Sequence, residues 1–152
     1  MFKKILLIIF TLTFLSNCEY KPIYSNLNKL NYKIDIIEFI GDKELNKFII
    51  ENLSKRNQNK SNEIINIKIN TKYEKNILAK STTGSITDYQ AKATTTFEIN
   101  KNTNTETLII EEKFNYQRLS DKYEEKSYEK TIKRSMAISI SQKLILKLSI
   151  IK

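Results

Sequence analysis

Residues 88–99 read Asp-Tyr-Gln-Ala-Lys-Ala-Thr-Thr-Thr-Phe-Glu-Ile, and their alternation decides the fold. Tyr89, Ala91, Ala93, Thr95, Phe97 and Ile99 share one phase; Asp88, Gln90, Lys92, Thr94, Thr96 and Glu98 share the other. A period of two held this long predicts a strand of an antiparallel sheet, one face on a core and the other in water. Upstream, Ile65, Ile67, Ile69, Thr71 and Tyr73 alternate with Asn66, Lys68, Asn70 and Lys72 in the same way. Downstream, the polar 100–104 segment predicts a hairpin turn into a strand with Leu108, Ile110, Phe114 and Tyr116 in phase. Ile109 sits on the opposite face of that strand. Glu112 interrupts the phase and is expected at a bulge or an edge position.

The period changes at both ends of this sheet. From Asp121 onward, Tyr128, Ile132, Met136, Ile140 and Leu144 recur every four residues, which predicts a long helix. Residues 137–141 also alternate like a strand, but length and the absence of Gly or Pro favour helix. Residues 144–148 are apolar on more than one face, so this end either packs deeply or meets a partner. Before the sheet, Leu45, Phe48, Ile49 and Leu53 mark a shorter helix, with Asp42 as N-cap and Glu44 in the first turn. This helix is long enough to cross between non-neighbouring strands. It follows a β-rich run with Tyr32, Ile34, Ile36 and Ile40 in one phase and Ile37 and Phe39 in the other. That strand is expected to be covered on both faces. Residues 57–62 read as a loop. The order is thus β-α-β-β-β-α, an α+β fold with a four-stranded antiparallel or mixed sheet and two helices packed on one face.

The N-terminus carries a different signal. Lys3 and Lys4 precede an eleven-residue run, Ile5 to Leu15, broken only by Thr11 and Thr13. A basic start and an apolar stretch within ~7–15 residues read as a secretory signal, too short for a ~20-residue spanning helix. A buried N-terminal helix would leave the change after Cys18 unexplained. Leu15-Ser16-Asn17-Cys18 resembles a bacterial lipobox, with Asn17 where Gly or Ala is usual. In that reading residues 1–17 are cleaved, Cys18 becomes the lipidated N-terminus, and residues 18–31 form a tether containing Pro22. Two or more acyl chains would hold the chain stably at a membrane. Glu19 rather than Asp follows the Cys, which by resemblance to enterobacterial sorting signals implies the outer membrane, periplasmic side. Residues 32–152 then form a single domain.

Composition narrows the function. The 152 residues contain no His and one Cys. His-based catalytic arrangements, His metal ligands and Cys-rich zinc sites are therefore excluded. Two Gly and one Pro leave little for a phosphate-cradling loop. No cofactor or metal is expected. The net charge of +9 comes from 23 Lys against 3 Arg, in a chain with 25 Ile and 16 Asn. All three abundant residues have A/T-rich codons, and phosphate and base contacts favour Arg, so a nucleic-acid partner is not expected. Removing Lys3 and Lys4 with the signal leaves +7.

Cys18-Glu19-Tyr20-Lys21-Pro22-Ile23-Tyr24, the helix from Asp42 to Leu53, and Tyr116 leading into a helix with Arg134, Met136 and Ala137 together resemble the lipopolysaccharide-assembly lipoprotein family, LptE. Glu19 departs from the family's frequent Gly. The likeness spans nearly all of the mature chain, mostly by residue class. It implies two helices on a four-stranded sheet and a non-catalytic role. Such a lipoprotein plugs and helps assemble the outer-membrane barrel LptD and assists lipopolysaccharide transport to the cell surface. Lys68, Lys72 and Lys92, all on the polar phase of their strands, are the candidate lipopolysaccharide-binding residues. The same residues also read as ordinary solvated lysines. Two other functions compete: a scaffolding lipoprotein for another outer-membrane protein, and an enzyme using Asp88, Glu98 or Glu112. Those acids read more simply as a solvated strand face.

Overall fold

The computed structural model describes residues 32–56, 63–101 and 104–150. Cys18, the signal and the tether lie outside the described residues, as does the 57–62 loop. The elements are β1 (Lys33–Gly41), α1 (Lys43–Arg56), β2 (Ile64–Lys80), β3 (Ile86–Lys101), β4 (Asn104–Gln117) and α2 (Lys122–Ile150). They form one four-stranded mixed sheet in the order β1-β2-β3-β4. β2, β3 and β4 are an antiparallel meander, and β1 runs parallel to β2. A parallel pair requires a crossover, and α1 supplies it. It joins neighbouring strands and skips none.

The alternation in β3 translates directly into burial. Ala91, Ala93, Thr95, Phe97 and Ile99 are buried, as are Ile65, Ile67, Ile69 and Thr71 of β2. Above them lie Leu45, Phe48, Ile49 and Leu53 of α1 and Ile132, Met136, Ile140, Leu144, Ile145 and Leu148 of α2. Leu144, Ile145 and Leu148 are fully buried and Leu146 packs on the same core, so the far end of α2 packs deeply.

Two expectations need correction, and for Glu112 the edge alternative holds. β1 is an edge strand, and Ile37, Phe39 and Ile40 are 51–58% exposed. A register shift between Ile36 and Glu38 flips the phase and turns Ile40 outward, whereas Phe39 lies opposite core-facing Ile69 and is exposed at the open edge. Ile34 and Ile36 therefore lie opposite Ile65 and Ile67, while Ile40 lies opposite outward-facing Asn70. Glu112 is at no bulge: β4 pairs regularly with β3 and places Glu112 opposite Ala93. β4 is the other edge, and Glu112 faces the helix layer, where Ser139 Oγ donates to it at 2.7 Å and Lys143 Nζ lies 2.7 Å away. Finally, the buried stripe of α2 starts at Ile132; Tyr128, one turn earlier, is exposed.

The junction between β1 and α1 is fixed by polar contacts. Gly41 has φ +100°, and a Cβ there would lie 1.8 Å from the Thr71 carbonyl oxygen. Glycine is therefore required both for the backbone conformation and for the close approach. Asp42 caps α1 by accepting the Leu45 N–H at 2.8 Å. Asn46 is buried, and its Nδ2 donates to the Ile40 carbonyl at 2.9 Å. Its Oδ1 accepts the Thr71 hydroxyl at 3.0 Å, tying β2 to the turn.

Candidate functional site

The strand phase carries Lys68, Lys72 and Lys92 to the sheet face opposite the helices. Lys92 lies across from Glu74, diagonal to Lys72; Lys68 is four residues back along β2, beyond the Asn70 row. Same-face residues recur every ~6.8 Å along a strand, so Lys68 is ~14 Å from Lys72 at the backbone. Each of the three has an acidic partner. Lys68 Nζ is 3.1 Å from Glu38, Lys72 Nζ 2.9 Å from Glu74 and Lys92 Nζ 2.8 Å from Glu111. Lys113 Nζ shares Glu111 at 3.0 Å. Hydrogen bonding to Glu38 raises the Lys68 pKa above its ordinary value, and hydrogen bonding to Glu111 does the same for Lys92. The donors Lys92 and then Lys113 lower that of Glu111. Around these lysines the face is a mixed lattice, with Lys68, Lys72, Lys92 and Lys113 matched by Glu38, Glu74, Glu98 and Glu111. Exposed pairs of this kind are weakly held, so a multivalent anion can take over the ammonium groups.

A second surface lies at one end of the molecule, where the β2–β3 hairpin, the end of β4 and the start of α2 converge. Asp88, Asn115, Tyr116, Gln117, Leu119 and Tyr128 line an open groove of about 460 Å³. An adjoining groove of about 560 Å³ shares Asp88, Gln117 and Leu119 and adds Thr87, Arg118 and Ser120. The backbone here is fixed: Arg118 N–H donates to the Thr87 carbonyl at 2.8 Å, and Gln90 Nε2 donates to Asn115 Oδ1 at 3.0 Å. Asp121 closes the loop by accepting the Tyr123 and Glu124 N–H groups at 2.7 and 2.9 Å, which caps α2. Planar amides, a guanidinium, a carboxylate and two tyrosines make a surface suited to a polar, sugar-bearing or phosphate-bearing group.

Beneath that groove is a half-buried charged cluster. Lys75 Nζ pairs with Glu125 and lies 3.5 Å from Glu129, both on α2. It also sits 4.1 Å above the Tyr89 ring and 5.7 Å from that of Tyr116. Burial pulls the Lys75 pKa down, but hydrogen bonding with Glu125 and Tyr116 outweighs it and leaves the ammonium above its ordinary range. Tyr116 is 5.7 Å from Tyr89 and meets Tyr128 edge-on at 5.8 Å. Its buried hydroxyl has no well-directed hydrogen bond, and neither has that of Tyr73. Burial raises both phenols, against the pull of Lys75 at Tyr116 and with added repulsion from Glu129 at Tyr73. One turn further along α2, Lys133 Nζ lies 2.9 Å from Asp42, 3.6 Å from Glu44 and 4.3 Å from the Tyr73 ring.

Period-two reasoning placed the lysines on one face but passed over the groove. Its residues come from the first turns of β3, the last of β4 and a loop, where periodicity carries no information. The visible signal was the tight run of planar polar side chains around Tyr116 and Arg118. Of the carboxylates weighed as catalytic, Asp88 lines the groove, Glu98 is exposed and Glu112 is paired with Lys143. No cluster of three metal-ligating side chains occurs among the described residues. No described helix is long and apolar enough to cross a membrane.

No family model matches the chain, and no curated protein matches it significantly. Solved structures do. Rare lipoprotein B from Shewanella oneidensis is similar at a TM-score of 0.56 and 17% identity, over 76% of this chain and 94% of that one. An uncharacterized lipoprotein B from Nitrosomonas europaea gives 0.55 and 17%, over 80% and 84%. A minor lipoprotein from Acinetobacter baumannii gives 0.53 and 16%, over 74% and 90%. The chain therefore has the fold of rare lipoprotein B.

Proposed function

We propose that this chain is a non-catalytic outer-membrane lipoprotein, anchored on the periplasmic side through acyl chains on Cys18. It occupies and helps assemble an LptD-like β-barrel and assists lipopolysaccharide transport to the cell surface. The observation that carries this reading is the shared fold, which covers 84–94% of lipoproteins B of two species and a minor lipoprotein of a third. The Cys18–Tyr24 segment supports the same reading independently. A compact α+β domain with one apolar core and a polar outer face is a suitable filling for a wide, water-lined barrel.

Two surfaces offer contacts to the glycolipid. Lys68, Lys72 and Lys92 can exchange their Glu partners for phosphates, and the groove around Tyr116 and Arg118 can take the polar head. A second reading, a scaffold for another outer-membrane protein without glycolipid binding, is favoured by the even match of Lys and Glu on the outer face. Purification from native membranes with gentle detergent separates these from unrelated roles: the proposal expects a large barrel protein to copurify at a fixed ratio. Purified lipopolysaccharide then separates the two readings. Binding that weakens with salt, and weakens in the folded K68E/K72E/K92E variant, supports the lysine surface. Unchanged binding removes the lysines from the site, and no binding by the wild type leaves only the scaffold.

A further inference from the structure

The two halves of α2 are attached to the sheet by different physics. From Ile132 onward the helix buries Ile132, Met136, Ala137, Ile140, Ser141, Leu144, Ile145 and Leu148. Across residues 122–131 no residue is buried. These ten residues are held by Lys75 pairing with Glu125 and Glu129, and by the edge contact of Tyr128 on Tyr116. Beneath them sits an aromatic floor of Tyr89 and Tyr116 with one ammonium over it. The phenol oxygens of Tyr73 and Tyr116 are buried there without a well-directed hydrogen bond. A buried hydroxyl whose hydrogen bond is poorly directed costs free energy, part of which moving this segment to admit water or ligand would recover. Tyr128, on the segment, also forms one wall of the open groove.

We propose that residues 122–131 are a latch that Lys75 fastens, and that an anion entering the groove releases it by replacing Glu125 and Glu129 on the Lys75 ammonium. The opened cleft then presents one cation and two phenol donors, Tyr73 and Tyr116, the donor set for a phosphate-bearing group. The inference rests on the reading above that the groove receives the head of a phosphorylated glycolipid, and it names the step that admits it. The groups facing Lys75 are Glu125 and Glu129 from α2, Tyr89 from β3 and Tyr116 from β4. On the segment itself Lys122, Lys126 and Lys130 balance Glu124, Glu125 and Glu129, so it leaves Lys75 without carrying a net charge.

Hydrogen exchange followed by mass spectrometry tests this on the full detergent-solubilised lipoprotein. Exchange is read from Lys126 onward, because first-turn amides lack intrahelical acceptors and exchange fast in any helix. The expected profile is a step at Ile132, with 126–131 exchanging at least ~10-fold faster than 132–148 through local opening. Uniform protection along α2 would overturn the latch. The E125Q/E129Q variant should speed exchange of 126–131 by a further ~10-fold and leave 132–148 unchanged. Unchanged exchange there would show that Lys75 fastens nothing. Inorganic pyrophosphate should accelerate 126–131 in the wild type relative to chloride at matched ionic strength; equal effects would overturn anion release. Binding of purified lipopolysaccharide is measured separately. If pyrophosphate opens the segment but lipopolysaccharide does not bind, the latch stands and the transport reading falls. If lipopolysaccharide binds while the segment stays closed, the reverse holds.

Discussion

Phe97 is the side chain through which the core assignment can be tested most sharply. It is fully buried on β3, between Ile69 of β2 and Leu108 of β4 and beneath the helix layer. A phenyl side chain buries ~150–250 Å². At ~25 cal/mol per Å² that burial is worth ~4–6 kcal/mol. Truncation to Ala keeps the Cβ and lets the site relax in part, so Phe97→Ala should cost ~3–5 kcal/mol. Phe97→Asp adds an unpaired carboxylate in the same place and should cost more, enough to unfold a domain whose total stability is typically ~5–15 kcal/mol. The adjacent Thr96 points to the opposite face, between Asn70 and Ile109. Thr96→Asp should therefore cost less than about 1 kcal/mol. Urea unfolding followed by circular dichroism, with all variants analysed at a common m-value, gives the comparison. Equal losses at positions 96 and 97 would mean that the two faces of β3 are not distinguished by burial, and the core would have to be redrawn.

Cys18→Ser removes the chain's only thiol, so it should abolish acylation and leave an uncleaved precursor; intact mass and membrane fractionation check this, and a wild-type protein cleaved elsewhere without lipid would refute it. Gly41→Ala forces a Cβ onto the Thr71 carbonyl at φ +100° and should cost well over ~1 kcal/mol, whereas Gly84→Ala, at φ +81° with open space around the Cβ, should cost only ~1 kcal/mol in thermal or urea unfolding. Tyr73, Lys75 and Tyr116 all have pKa values raised in the folded state, so their contribution is complete below ~10, the ordinary Tyr and Lys range, and falls as pH rises through the folded values. Stability measured by urea unfolding should thus decline above pH ~10, and the decline should be shallower in Tyr73→Phe, which removes one phenol with no well-directed hydrogen bond to lose.

How much of this was legible in the chain depends on whether a residue's position is set by period or by neighbours. The faces of β2 and β3 were legible because Ile65 to Tyr73 and Tyr89 to Ile99 repeat every second residue against a single core. α2 was legible for a similar reason, although Ala137–Ser141 alternates like a strand. The four-residue stripe through Ile132, Met136 and Ile140 outweighed it. β1 misled because one inserted residue near Ile37 reverses the phase. In the bare pattern Ile40 joins Ile34 and Ile36, and Ile37 and Phe39 look like a buried second face, although all three lie on an exposed edge. Hydrophobicity alone does not announce a bulge, since every residue from Ile36 to Ile40 except Glu38 is apolar.

The charged groups show the same division more severely. Period placed Lys68, Lys72 and Lys92 on one face, but not the acids beside them, because Glu38 and Glu111 arrive from other strands. A cationic patch inferred from one strand at a time counts only one sign. The register adds the other: Glu38 against Lys68, Glu74 against Lys92, Glu111 against Lys92 and Lys113. Lys75 is the opposite case. In the one-dimensional pattern it follows Tyr73 on the core-facing phase, where a lysine looks like an error in the alternation. Its partners lie 50 and 54 residues away on α2, and only the folded chain brings them together. A lysine on a core-facing phase signals either strand slippage or a buried pair, and a helix farther on with acids at i and i+4, as at Glu125 and Glu129, tips the choice to the pair. That pair also marks where the apolar stripe of α2 stops and charge takes over its attachment to the sheet.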